Sequence, residues 1–186
     1  MAWKLFGGRA KRQRPIQQAD PAVKLAHLKS QVQSIQTQLT SLEKGCQRAD
    51  IIYSEFTGNG HGKGKKAEAE EWKQEQPTNK NKWFAHGQAL EQQIRGIQHT
   101  LNELAKTQKT RLELTQSRVN EFIAQAQQYG DDQIKQIAQQ FADRLASLEK
   151  QVPTIRGKHN AVRAYNDPFF HDVHDTAAFV AGKKAM

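Results

Sequence analysis

Between Leu25 and Phe56 the apolar side chains fall at Leu25, Leu28, Val32, Ile35, Leu39, Leu42, Cys46, Ala49, Tyr53 and Phe56, in steps that alternate between three and four residues. Such steps follow the turn of a helix closely enough that all of them project from one side. A helix lying on a thick globular core carries three or four apolar residues per two turns. This stripe carries two, which is the narrow seam of a coiled coil. Asp20 can accept bonds from the free N–H groups of a first turn, and Pro21 suits the first helical position. Gly58-Asn59-Gly60 ends the segment, and Gly45 weakens it by about 1 kcal/mol relative to alanine.

A second stripe runs through Leu90, Ile94, Ile97, Leu101, Leu104, Gln108, Leu112, Thr115, Val119, Phe122, Ala126 and Tyr129. It predicts a helix from about Trp83 to Tyr129, roughly 70 Å long. The step from Gln108 to Leu112 adds a second four in succession, a stutter that locally unwinds a supercoil. A buried Gln108 amide there needs a partner. Gly130-Asp131 is either a break, with Asp131 capping a new helix, or a weak point in one longer helix. Ile134, Ile137, Phe141, Leu145, Leu148 and Val152 carry a seam on to Pro153.

The remaining segments are less regular. Residues 58–82 read as a flexible connector in which Ala67–Gln76 can form a short helix bearing Trp72. Pro77 breaks it, and Thr78, Asn79 or Asn81 can cap the helix that follows. Beyond Pro153 the aromatics Tyr165, Phe169, Phe170 and Phe179 gather in a tail, where Asp167-Pro168 can start a short helix facing Phe169, Val173 and Val180. The expected fold is all-α: an elongated antiparallel helical hairpin or coiled coil with helices near 21–57, 83–129 and 131–152. It carries a basic N-terminal arm (1–20) and an irregular C-terminal tail (153–186).

Composition agrees with thin seams. Hydrophobic residues make up 37% of the 186-residue chain, below the roughly 45–50% of globular proteins, a figure that also counts glycine. Glutamine, an uncharged helix former, occurs 24 times. The first long helix is shorter than the second, so part of the hairpin seam is expected to lack a partner within the chain. Exposed apolar seam is unfavourable at about 25 cal/mol per Å². Self-association, or incorporation with other subunits into a large assembly, is therefore expected along Leu25, Leu28, Val32, Ile35, Leu39, Leu42, Leu90, Ile94, Ile97, Leu101, Leu104, Leu112, Val119 and Phe122. In a parallel, in-register homodimer Cys46 would face its own copy.

Charge is uneven. Residues 1–66 carry a net +8 and residues 67–186 a net +1. Arg9, Lys11, Arg12 and Arg14 form one cluster; Lys63, Lys65 and Lys66 form another. Both are candidates for contact with nucleic acid or another polyanion, because neutralising phosphates releases condensed counterions without reading sequence. An acidic protein partner is recognised by the same charge. A membrane is the alternative: Trp3, Leu5 and Phe6 can insert at an interface while the cations behind them meet anionic lipid. Leu5-Phe6-Gly7-Gly8, the basic run, Pro15 and a helix beginning near Ala22-Val23-Lys24-Leu25 resemble the start of ESCRT-type membrane-remodelling filament proteins over the first quarter of the chain. That resemblance implies a membrane-associated filament with an N-terminal anchor. The chain departs from the pattern in lacking an acidic C-terminal region and in its connector with Trp72 and Trp83.

Motifs for chemistry are sparse. The Gly-Lys stretch at 58–66 has no Gly-Lys followed by Ser or Thr and no preceding strand, so it does not read as a phosphate loop. His171 and His174 share a helix face at i and i+3, but no third ligand is indicated and no metal is expected. Catalytic residues, cofactors and a small-molecule substrate are not expected either, because a thin bundle rarely walls a pocket. One cysteine excludes an intramolecular disulfide. With no secretory signal and no apolar run of ~18 residues, a cytoplasmic chain, or one assembled inside a cell into a particle such as a phage or virus virion, is expected. The expected task is that of a non-enzymatic structural or assembly protein.

Overall fold

The computed structural model describes residues 21–59 and 62–181. Four helices follow one another: α1 (Pro21–Thr57), α2 (Lys65–Gln74), α3 (Lys80–Tyr129) and α4 (Asp132–Val180). No strand occurs among the described residues. Each boundary has a local cause. Gly58 adopts the left-handed conformation (φ 81°) and its N–H donates to the Ser54 carbonyl at 2.8 Å, closing α1. Asn79 caps α3, its side chain accepting from the Lys82 N–H at 3.1 Å. Gly130 (φ 82°) ends α3, and Asp131 Oδ1 accepts from the Ile134 N–H at 3.0 Å. Gly130-Asp131 is thus a break, and the chain reverses there.

The three long helices form one bundle. Phe122 meets Phe141, Gln116 Nε2 donates to Glu149 at 2.6 Å, Arg156 to Asn102 at 2.9 Å, and Asn166 to Gln98 at 3.2 Å. As α3 numbers fall, their α4 partners rise, so the pair is antiparallel. α1 also runs antiparallel to α3, with Ser41 beside Arg111. It runs parallel to α4: Glu43 pairs with Arg144, Asp50 with Lys158, and Phe56 with Tyr165. At 50 residues, α3 gives a rod about 75 Å long.

Two expectations change here. The tail is not irregular: α4 continues through Pro153 and Pro168 to Val180. Its buried positions are Ile134, Ala138, Phe141, Leu145, Leu148, Val152, Ile155, His159, Val162, Asn166, Phe169 and Val173. That is an unbroken three–four alternation to which the prolines are no interruption. Both prolines lie on the exposed face, where the helix carbonyl that each leaves unbonded can meet water. A proline inside a helix costs about 3 kcal/mol or more, and the long seam against α3 and α1 outweighs it. Ile137, placed on the seam from sequence, is half-buried beside it, and Ala138 takes the inner position.

The second change concerns what faces the seams. Leu28, Ile35, Leu39, Leu42, Leu90, Ile94, Ile97, Leu101, Leu112, Val119 and Phe122 are all buried within a single chain, and Leu25, Val32 and Leu104 are packed against the same core. α4 supplies the partner that a two-helix hairpin lacks. Self-association is therefore not needed to cover these seams. Cys46 is likewise inside the bundle, 5% exposed. Burial, with Asp50 next, pushes its thiol above the ordinary value. On α3 the doubled four-residue step falls at Ile97–Leu101–Ala105, slightly earlier than the sequence spacing places it, and turns Leu104 toward the bundle's edge.

Candidate functional site

The connector is a docked element. Trp72 on α2 stacks on Trp83 at the start of α3, with ring centres 4.6 Å apart and planes 15° from parallel. Each indole N–H donates to the other residue's carbonyl, at 2.8 Å from Trp72 and 3.0 Å from Trp83. Gly87 makes the approach possible: a Cβ there would sit 2.3 Å from Cζ2 of Trp72. Phe169 of α4 meets Trp72 edge-on, and Tyr165 lies between Phe56 and Phe169. Burial, followed by the carboxylates of Glu70 and Asp172, raises the Tyr165 phenol well above its ordinary value.

This docking engages the second cationic cluster. Lys63 pairs with Glu71, Lys65 with Glu68 at 2.9 Å, and Lys66 lies over the Tyr165 ring, 5.6 Å from its centre. Lys66 also accepts the Tyr165 hydroxyl at its carbonyl, 3.3 Å away. The first cluster (Arg9, Lys11, Arg12 and Arg14) and the apolar trio Trp3, Leu5 and Phe6 lie outside the described residues. Pro21, where that arm joins α1, belongs to the end of α1 that meets Gln125, Gln128 and Tyr129 near the α3–α4 turn. Lys63, Lys65 and Lys66 follow the opposite end of α1, about 55 Å away along the helix.

The bundle's three outer edges differ, and the difference defines a surface not anticipated from sequence. The α1–α4 edge is laced by Arg144, whose Nε and Nη2 donate to the two Glu43 oxygens at 2.8 and 2.9 Å, and by the Lys158–Asp50 pair. The α3–α4 edge is laced by the Gln116, Arg156 and Asn166 bonds described above. The α1–α3 edge carries the bond from Arg111 Nη1 to Ser41 Oγ at 3.3 Å and otherwise opens into a cleft of about 840 Å³. Its floor holds Leu104, Gly45 and Gln108. Gln108 is 2% exposed and its Oε1 has no donor among the described residues. The side chain lies across α1 where Gly45 has none; a Cβ there would be 2.3 Å from Gln108 Cδ. The helix-weakening glycine thus makes room for the buried amide at the seam's polar position.

Among the described residues no group of three or more His, Cys, Asp or Glu is placed to hold a metal. His171 and His174 are both exposed, and the His174 ring lies 4.0 Å from that of Phe170. No described helix is long and apolar enough to cross a membrane. No protein-family model, curated protein or solved structure matches the chain.

Proposed function

We propose that this chain is a non-enzymatic structural component of a larger assembly: a rigid three-helix rod carrying a basic arm at one end. The observation supporting this reading is the mutual burial of the α1, α3 and α4 seams along the whole bundle. A chain organised in this way supplies length, stiffness and side surfaces. Assembly then relies on those surfaces and on the arm, with other subunits as partners. A particle that packages nucleic acid, such as a phage or virus virion, suits a rod whose arm is densely cationic, since Arg9, Lys11, Arg12 and Arg14 fall within six residues.

The arm is tested by binding the full chain to a short DNA duplex across a salt series. Affinity is expected to fall linearly with the logarithm of salt concentration. Changing Arg9, Lys11, Arg12 and Arg14 to glutamine is expected to reduce the slope by about 3–4, roughly 0.9 per phosphate contact. An unchanged slope would contradict polyanion contact by the arm. Flotation with anionic vesicles that depends on Trp3 and Phe6, without DNA binding, would move the proposal to the membrane-associated alternative.

A further inference from the structure

The open α1–α3 edge continues beyond the central cleft in both directions. Toward the α3–α4 turn it includes Gln38, Leu114 and Arg118, and toward α2 it includes Ile52, Glu55 and Gln93. From Gln93 to Arg118 the groove extends about 37 Å along α3. Arg118 and Arg111 on α3, with Lys44 and Arg48 on α1, line it. Lys44, Arg48 and Arg118 have no ion pair among the described residues, whereas the carboxylate of Glu103 is held by Lys106 at 3.0 Å. Glu55, at the α2 end, is the other acid lining the groove. The groove is therefore a cationic channel whose sides are largely uncompensated.

Its apolar content narrows the occupant further. Leu114 is 62% exposed, an unusual state for a large apolar side chain in this bundle, and Leu104 and Ile52 lie along the same line. A groove between two antiparallel helices that sets Ile52, Leu104 and Leu114 among Lys44, Arg48, Arg111 and Arg118 matches an amphipathic helix with acidic flanks. The chain's own basic arm carries the wrong sign. Single-stranded nucleic acid binds on aromatic platforms that stack bases, and no aromatic residue lines the groove.

We propose that the α1–α3 groove is a docking site for an acidic amphipathic helix of a partner protein, which completes a four-helix bundle on this rod. About 25 residues of partner helix fill its length. Carboxylates on the two flanks meet Arg118, Arg111, Lys44 and Arg48, and the apolar stripe covers Leu114, Leu104 and Ile52. None of the groove's residues belongs to the basic arm, so the site stands or fails independently of the arm's contact with nucleic acid.

The test measures fluorescence anisotropy of a labelled peptide of about four heptads against the full chain. The peptide has Leu and Ile at the two seam positions and Glu at the flanking ones. The wild-type chain is expected to bind it and not a peptide of the same seam with Lys flanks. Arg48→Glu, Arg111→Glu and Arg118→Glu together are expected to weaken the Glu-flanked peptide by about tenfold or more and to give measurable binding of the Lys-flanked one. Leu114→Ser, at an exposed position that leaves the core intact, is expected to weaken it by about threefold. Changing Arg9, Lys11, Arg12 and Arg14 to glutamine is expected to leave the peptide affinity within about twofold. No binding by the wild-type chain, or an affinity unchanged in the triple variant, overturns the proposal. So does a thymidine oligonucleotide that binds through the same three arginines and displaces the peptide.

Discussion

Phe122→Ala is expected to lower the unfolding free energy by about 3–5 kcal/mol, read as a lower denaturant midpoint with little change in slope. Phe122 is 0% exposed and tilts against Phe141 of α4, with ring centres 5.5 Å apart. The ring fills the part of the bundle nearest the α3–α4 turn, where a short, capped link leaves the helices little freedom to close a cavity. The neighbouring comparison is Leu114→Ala. Leu114 is on the same helix and equally apolar, but exposed, and its loss is expected to change stability by no more than about 0.5 kcal/mol. A loss below about 1 kcal/mol for Phe122→Ala would mean that α3 and α4 do not share this core.

Trp72→Ala is expected to undock α2. The indole is 3% exposed, stacks on Trp83, meets Phe169 and donates to the Trp83 carbonyl. Removing it costs about 3–5 kcal/mol, and a helix of 10 residues is marginal once it is undocked. The effect is local, so amide exchange in residues 65–74 is expected to approach that of free peptide while the helices around Phe122 keep their protection. Release of α2 also frees Lys65 and Lys66 from their fixed positions. Protection of residues 65–74 equal to that of the wild type would contradict the docking described for Trp72.

Much of the fold is legible in spacing. The alternation from Leu25 to Phe56 places α1 with its buried side correctly, and Gly58, Asn79, Gly130 and Asp131 mark its ends and those of its neighbours. Pro153 misleads, because a proline normally ends a helix when weighed by local propensity alone. The decisive signal lies beyond it: Ile155, His159, Val162, Asn166, Phe169 and Val173 extend the phase of Leu148 and Val152 without a slip. The polar residues at two of those positions, His159 and Asn166, conceal the stripe from a hydrophobicity reading. The α1–α3 groove is not legible in this way. Arg111, Arg118, Lys44 and Arg48 are scattered charges in the chain and become a line only when α1 lies antiparallel to α3. Gly45 and Gln108 stand out separately in sequence, one as a weak helix former and the other as a polar seam residue, while their contact is a property of the packed bundle.

One chain satisfies its own seams because α4 runs unbroken past Pro153. Amide hydrogen exchange across residues 132–178 tests it most directly. Protection of the buried-face amides around Ile155, Val162 and Phe169 comparable to that around Leu145 and Leu148 is the predicted result. Exchange at free-peptide rates from Thr154 onward, with protection confined to the residues before Pro153, would contradict it.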